Sequence, residues 1–209
     1  MTANRVREAY AERAEEYTRL LGSIADTHEL DQQLVGHWAR EIQGAVIDAG
    51  CGPGHWTDFL NKLGADAEGI DHVPAFIRNA RMRFPNVPFR VASLVDLGVN
   101  DGSATAILSW YSVIHLAPTE LQSVLVEFAR CIAPGGSLLL GFFEGDTVEP
   151  FAHAVTTAYF WPIGKMSAKL EIAGFQVDSV HTRTDPGKRP HAAIIAHRTD
   201  VSAPSVAVR

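Results

Sequence analysis

Apolar side chains recur near the start of the chain at Val6, Ala9, Tyr10, Ala14, Tyr17, Leu20 and Leu21. This spacing predicts a helix over 5–21 with one stripe turned toward a partner surface. A second helical stripe, through Leu30, Leu34, Trp38 and Ile42, predicts a helix over 29–42. The period then changes. Runs at 45–49, 67–71, 87–92, 104–110 and 137–143 read as strands, with helical segments between most of them. After Pro118, the residues Leu121, Val124, Leu125, Phe128, Ala129 and Ile132 share one helical face. Pro118 suits the first turn of that helix, and Pro134, Gly135 and Gly136 are expected to end it.

The run SLLLGFF at 137–143 is almost continuously apolar, as expected of a strand covered on both faces. Strands alternating with helices imply a parallel sheet with right-handed crossovers. The end of the chain differs. A helix over 163–173 stops at Gly174, and FQVDSVHTR and HAAIIAHRT follow, joined by the turn-rich TDPGKRP. That pattern predicts an antiparallel pair at the sheet edge. The tail DVSAPSVAVR is expected to fray. There is no internal repeat and no low-complexity segment.

Composition narrows the partners. The 209 residues suit one domain with a full core. Apolar residues make up 46% and charged residues 20%, an ordinary globular balance. A net charge of −6 gives no electrostatic footprint for nucleic acid or an anionic membrane. The charged start, MTANRVREAYAERAEEY, does not read as a signal peptide. No apolar run approaches the roughly 20 residues of a membrane helix. Cys51 and Cys131 are too few for a disulfide framework and lack metal-site spacing. The expectation is a cytoplasmic protein with reduced, buried thiols and no bound metal.

The stretch VIDAGCGPGHW, residues 46–56, joins a strand to a helix through Gly50, Gly52 and Gly54. Such a turn lets a ligand approach the backbone and the free N–H groups of a helix N-terminus. Dinucleotides and S-adenosylmethionine both use this device. The dinucleotide fingerprint G-x-G-x-x-G fails, because His55 stands where the third glycine belongs. Asp48 would repel a pyrophosphate and suits an ammonium group. Asp71 ends the next strand about 20 residues further on, where a carboxylate can accept both hydroxyls of a ribose. Together these residues favour the sulfonium cofactor.

With these motifs the chain resembles the class I S-adenosylmethionine-dependent methyltransferases over roughly residues 35–183. VIDAGCGPGHW is similar to the family's first motif, and GIDHVPAFIRNAR to its second strand and following helix. DGSATAILSWYSVIHL and CIAPGGSLLLGFF resemble the fourth and fifth strand regions. WYSVIHL, FFEGDTVEP and AYFWP resemble a small actinobacterial subgroup of stand-alone enzymes. The resemblance implies an α/β, Rossmann-like, doubly wound sheet of seven strands, the last antiparallel. It implies a single domain over 1–200, with an N-terminal helical lid at 1–43, the core at 44–198 and a flexible tail at 199–209.

The resemblance also implies roles. Asp48, Gly50, Cys51, Gly52 and Gly54 would line the methionine end of S-adenosylmethionine, with Trp56 beside them. Asp71 would take the ribose, and His72 and Val73 would flank the adenine. Family members often carry an acidic residue where Ser93 stands, so Ser93 and the backbone of Leu94 would meet the adenine amino group. Trp110, Tyr111 and Ser112 follow the fourth strand, where cofactor and acceptor meet, and aromatic faces can hold a sulfonium cation. Tyr17 on the N-terminal helix would reach the cofactor carboxylate, with Tyr10 on the same helix. His115 is the candidate general base.

For the acceptor pocket, the candidates are His28, Trp38, Glu144, His153, Tyr159 and Trp161. SWYS stands where amino-methylating enzymes of DNA and protein glutamine carry an Asn-Pro-Pro-Tyr type motif. That leaves O-, N-, S- or C-methylation of a small-molecule acceptor, apolar or aromatic in character, by a monomer or homodimer. The rival readings are a non-catalytic cofactor-binding module and an NAD-linked oxidoreductase.

Overall fold

The computed structural model describes residues 2–199. The expected tail at 200–209 and the side chains of Val6, Leu20 and Leu21 lie outside the described residues. The N-terminal helical stripe is split at Arg13 into α1 (Thr2–Glu12) and α2 (Ala14–Leu21). A single 3₁₀ turn at Ile24–Asp26 leads to α3 (Glu29–Glu41), whose N-cap is the His28 imidazole accepting from the Leu30 N–H at 3.1 Å.

The alternation then runs as expected: β1 (Ala45–Ala49), α4 (His55–Lys62), β2 (Asp66–Asp71), α5 (Pro74–Arg83), β3 (Phe89–Val91) and β4 (Ala104–Trp110). Next come α6 (Leu121–Cys131) and β5 (Ile132–Glu144). Helix α6 ends before Pro134, and the Pro-Gly-Gly run already belongs to β5; Pro118 lies ahead of the first turn. A hairpin of β6 (Glu149–Ala152) and β7 (Thr157–Trp161) precedes α7 (Ile163–Ile172), β8 (Phe175–Arg183) and β9 (His191–Arg198).

The sheet order is β3-β2-β1-β4-β5-β7-β6, with β9 on β5 and β8 on β9. Strands β1 to β5 are parallel to one another. β9 is antiparallel to β5 from Ser137 to Phe143, which is the expected reversed last strand. Among the described residues the sheet has nine strands where seven were expected. The two extra strands are the hairpin, and β7 pairs with β5 only at Phe143 and Glu144, on the edge where β5 outruns β4, whose last pair is Trp110 with Gly141. Strands this short carry no long alternating run, so the sequence pattern does not mark them.

Alternating side chains of the central strands enter two cores, as the period of a strand requires. Ile107, Leu138 and Leu140 pack with Phe128, Met166 and Phe175 on the α6–α7 side. Leu108 and Leu139 pack with Val35, Trp38, Trp56 and Leu60 on the α3–α4 side. Both faces of β5 are covered, which accounts for its apolar run. The carboxyl ends of β1, β2, β4 and β5 share one edge of the sheet, and the cavity opens there.

Candidate functional site

A cavity of about 370 Å³ lies at that edge. Its floor is the loop after β1. The N–H groups of Gly50 and Cys51 both donate to the Ile70 carbonyl, at 2.7 and 3.0 Å, which fastens the loop to the end of β2. Gly50 has φ +81°, and a Cβ on it would stand 2.2 Å from the Ser112 Cβ, so glycine is required there. Gly52, at φ +52°, faces open space and lines the cavity.

Asp71 couples two loops. One carboxylate oxygen accepts from the Gly52 N–H at 3.0 Å and the other from the Val73 N–H at 2.8 Å. Burial raises its pKa against those hydrogen bonds. A carboxylate offers about four acceptor positions, so capacity for two further donors remains. Asp71 is not the cap of α5; that position belongs to Val73, with Pro74 in the first turn. Asp48 is buried beneath the loop and does not line the cavity. The Thr57 hydroxyl donates to it at 2.6 Å, and burial pushes its carboxyl up to about 7.

The expected residues fall into two groups. Tyr17, Gly50, Gly52, Trp56, Asp71 and His72 line the cavity, as do Val73, Leu94, Trp110, Tyr111, Ser112 and His115. Asp48, Cys51, Gly54 and Ser93 lie outside its wall. Cys51 is buried, and Gly54, at φ +84°, fits closely against Phe89. Ser93 is exposed, its hydroxyl accepting from the Val95 N–H and its backbone bridged to Asp96. Of the acceptor-pocket candidates, His28 and His153 reach the cavity. Trp38 is buried in the α3 core with its Nε1–H on the Ser137 hydroxyl, and Trp161 is buried on the opposite side of the sheet. Glu144 and Tyr159 do not line the cavity.

Aromatic rings form much of the wall. Trp56 packs against Trp110 with centroids 5.7 Å apart, and Trp110 meets Tyr111 edge-on at 5.4 Å. Tyr111 has φ +56°, the one positive φ outside glycine among the described residues, and its hydroxyl bonds to His191 Nδ1. A strained backbone at a ligand-facing position is held by its surroundings.

His115 is engaged at both nitrogens. The Thr157 carbonyl, 2.7 Å from Nδ1, can only accept, which assigns the proton to Nδ1. Nε2 of the neutral ring then accepts from the Tyr10 hydroxyl at 2.8 Å. Burial lowers the His115 pKa and raises that of Tyr10, so both groups are neutral near pH 7. The Tyr159 N–H donates to the Ile114 carbonyl at 2.9 Å, so the hairpin is fastened to the same loop.

Sequence reasoning did not assign roles to Phe76, Phe143, Arg183 or His191, which also line the cavity. Phe143 was readable only as part of an apolar strand, and His191 and Arg183 come from strands whose polar positions gave no motif. Arg83 on α5 holds the backbone of Gly22 at 2.6 Å, which fixes the segment after α2 beside the first loop. Among the described residues no helix is long and apolar enough to cross a membrane, and no cluster of three or more potential metal ligands occurs.

Residues 46–136 match the family model of a methyltransferase domain. A probable S-adenosylmethionine-dependent methyltransferase of Mycolicibacterium smegmatis is 26% identical over 154 residues, covering 72% of this chain and 58% of that protein. A trans-aconitate 2-methyltransferase of Methylobacterium nodulans is 36% identical over 114 residues, covering 52% of this chain and 41% of that protein. The chain thus spans about half the length of these relatives. Among solved structures, the Burkholderia thailandensis 1,6-didemethyltoxoflavin-N1-methyltransferase has a TM-score of 0.76 at 18% identity, covering 95% of this chain and 89% of that one. That structure holds 1,6-didemethyltoxoflavin and S-adenosylhomocysteine.

Proposed function

The chain carries a class I S-adenosylmethionine-dependent methyltransferase domain, and from that premise we propose that it methylates a small-molecule acceptor at the cavity above β1, β2 and β4. The single observation that carries this reading is the Asp71 carboxylate, bound to both cofactor-side loops and still able to accept from a ribose. The residues fit the cofactor. Gly52 presents an open backbone, Asp71 presents acceptors, and Trp56, Trp110 and Tyr111 bring to the wall aromatic rings of the kind that attract a cation. The net charge of −6 supports a small-molecule partner over nucleic acid.

When bound, S-adenosylmethionine supplies a methyl group already activated by its sulfonium. The chain's own residues therefore bind, orient and exclude water rather than activate the donor. Gly50 and Gly52 hold the methionine side, with Tyr17 above it. Asp71 takes the ribose, and His72, Val73 and Leu94 border the adenine. Ser112, hydrogen-bonded to Ser109 at 2.7 Å, lies between the first loop and the acceptor side. Residues 1–43 act as a lid. His115 serves as a base only when Tyr10 releases its lone pair, so in the closed arrangement it positions the lid and the hairpin.

The occupied His115 lone pair also favours a second reading, a cofactor-binding module without turnover. Formation of S-adenosylhomocysteine, followed across a panel of hydroxylated and nitrogen-containing aromatic compounds, separates the two. Turnover above the acceptor-free rate supports the enzyme. Cofactor binding with no turnover on any compound overturns it in favour of the module.

A further inference from the structure

The acceptor side of the cavity is a continuous run of rings. Tyr10 meets His115 at 5.5 Å, His115 meets His153 at 5.1 Å, and His153 meets Phe143 at 6.1 Å between centroids. Phe143 then meets both Tyr111, at 5.1 Å, and His191, at 5.5 Å. Such a wall suits a planar ring, which can add edge-on or offset contacts along it.

The electrostatics restrict the ring's charge. Burial lowers the pKa of His115, His153 and His191, that of His153 to about 4, so none of these three rings is an imidazolium near neutral pH. Arg183 is the one Arg or Lys on the wall among the described residues, and ion pairs to Asp31 and Asp185 occupy it. Asp26, Asp31 and Asp71 face the same cavity. A carboxylate entering the acceptor side would lose its hydration and meet no unpaired Arg or Lys side chain among the described residues.

The hydrogen-bond inventory restricts the ring's substituent. Both His115 nitrogens are taken, and His191 Nδ1 is bonded to the Tyr111 hydroxyl. Three buried ring nitrogens of histidines on the cavity wall have no partner, His55 Nδ1, His72 Nε2 and His153 Nδ1, and of these only His153 stands in the acceptor-side run of rings. Buried polar groups are rarely left so, and a neutral imidazole has one donor and one acceptor nitrogen.

We infer that the acceptor is an uncharged, planar aromatic molecule bearing a hydroxyl or ring N–H, and that His153 positions it through that group. The inference rests on the methyltransferase reading above and adds the substrate class and the positioning residue. It excludes aliphatic and aromatic carboxylates as acceptors.

The test uses the full chain saturated with S-adenosylhomocysteine, whose binding is first measured alone by calorimetry. Three probes of one shape follow by ligand-observed NMR at pH 7.5: 2-naphthol, naphthalene and 2-naphthoate. 2-Naphthol is expected to bind tightest and 2-naphthoate weakest, with the pair separated by about tenfold or more, on the scale of one hydrogen bond and one unpaired charge. His153→Phe keeps a ring in the wall and should weaken 2-naphthol by about tenfold while leaving naphthalene unchanged. His153→Gln, which keeps hydrogen-bonding capacity, should restore part of the 2-naphthol preference. Equal or tighter binding of 2-naphthoate overturns the inference. So does a His153→Phe variant with unaltered melting temperature that treats 2-naphthol and naphthalene as before, or failure of all three probes to bind. Failure of S-adenosylhomocysteine to bind at the first stage would instead remove the underlying methyltransferase reading, and the inference with it.

Discussion

The Tyr10 hydroxyl and the His115 imidazole, 105 positions apart, share a 2.8 Å hydrogen bond that fastens α1 to the loop after β4. Tyr10 also packs against Tyr17 and Phe76, at 5.5 and 5.7 Å. Through the Thr157 carbonyl, His115 holds the β6–β7 hairpin as well. One imidazole therefore joins two segments that border the cavity.

Tyr10→Phe keeps the ring contacts and leaves His115 Nε2 without its donor. One net hydrogen bond is worth about 0.5–1.5 kcal/mol. S-adenosylhomocysteine affinity should fall roughly three- to tenfold by calorimetry, and amide exchange over α1 and α2 should quicken. Unaltered affinity and exchange would show that the bond does not hold the helix.

Gly50→Ala places a methyl 2.2 Å from the Ser112 Cβ at φ +81°. Both strain and collision act, so the variant should melt lower and lose measurable cofactor binding. Ser112→Gly in the same chain removes the colliding atom but not the backbone strain, and should recover binding only in part. Full binding by Gly50→Ala alone would mean that the loop can move away.

In Asp71→Asn the amide end faces a backbone N–H, donor against donor. A hydrogen bond to a charged group contributes about 1.5–3 kcal/mol, so cofactor affinity should fall roughly ten- to a hundredfold. Calorimetry reads the affinity, and the melting curve reports how much of the loss is structural. A loss confined to melting temperature would count against Asp71 as a ligand.

Burial raises the Asp48 carboxyl to about 7 and lowers the His55 and His153 imidazoles to about 4. A carboxyl raised on folding contributes stability at low pH that is lost as pH rises toward 7. Imidazoles lowered on folding contribute stability at neutral pH that is lost as pH falls from about 6.5 toward 4. The two trends oppose each other between about pH 4 and 7. Asp48→Asn removes the first, so its stability relative to the unmodified protein should grow from pH 5 to pH 7 in urea unfolding. A difference independent of pH would show that Asp48 titrates as an ordinary carboxyl.

Most of the scaffold was legible because its periods are local. The continuous apolar run of β5 implied two covered faces, and the FQVDSVHTR and HAAIIAHRT pair implied the antiparallel edge. The glycine spacing and Asp71 located the cavity floor. The hairpin escaped notice because β7 is set by two paired residues at the end of β5, a tertiary constraint. The Tyr10–His115 bond and the Phe143–His153–His191 wall join distant segments, and no spacing in the sequence encodes them. Ser93 was drawn toward the cavity by resemblance, whereas a local turn with Asp96 holds it at the surface.

The most direct measurement is a calorimetric titration of the purified chain with S-adenosylmethionine and, separately, with NAD. Saturable one-to-one binding of S-adenosylmethionine, with no heat from NAD, is the expected result. Binding of NAD without S-adenosylmethionine would contradict the assignment of the Gly50–Gly52 loop and of Asp71, and with it the proposed chemistry.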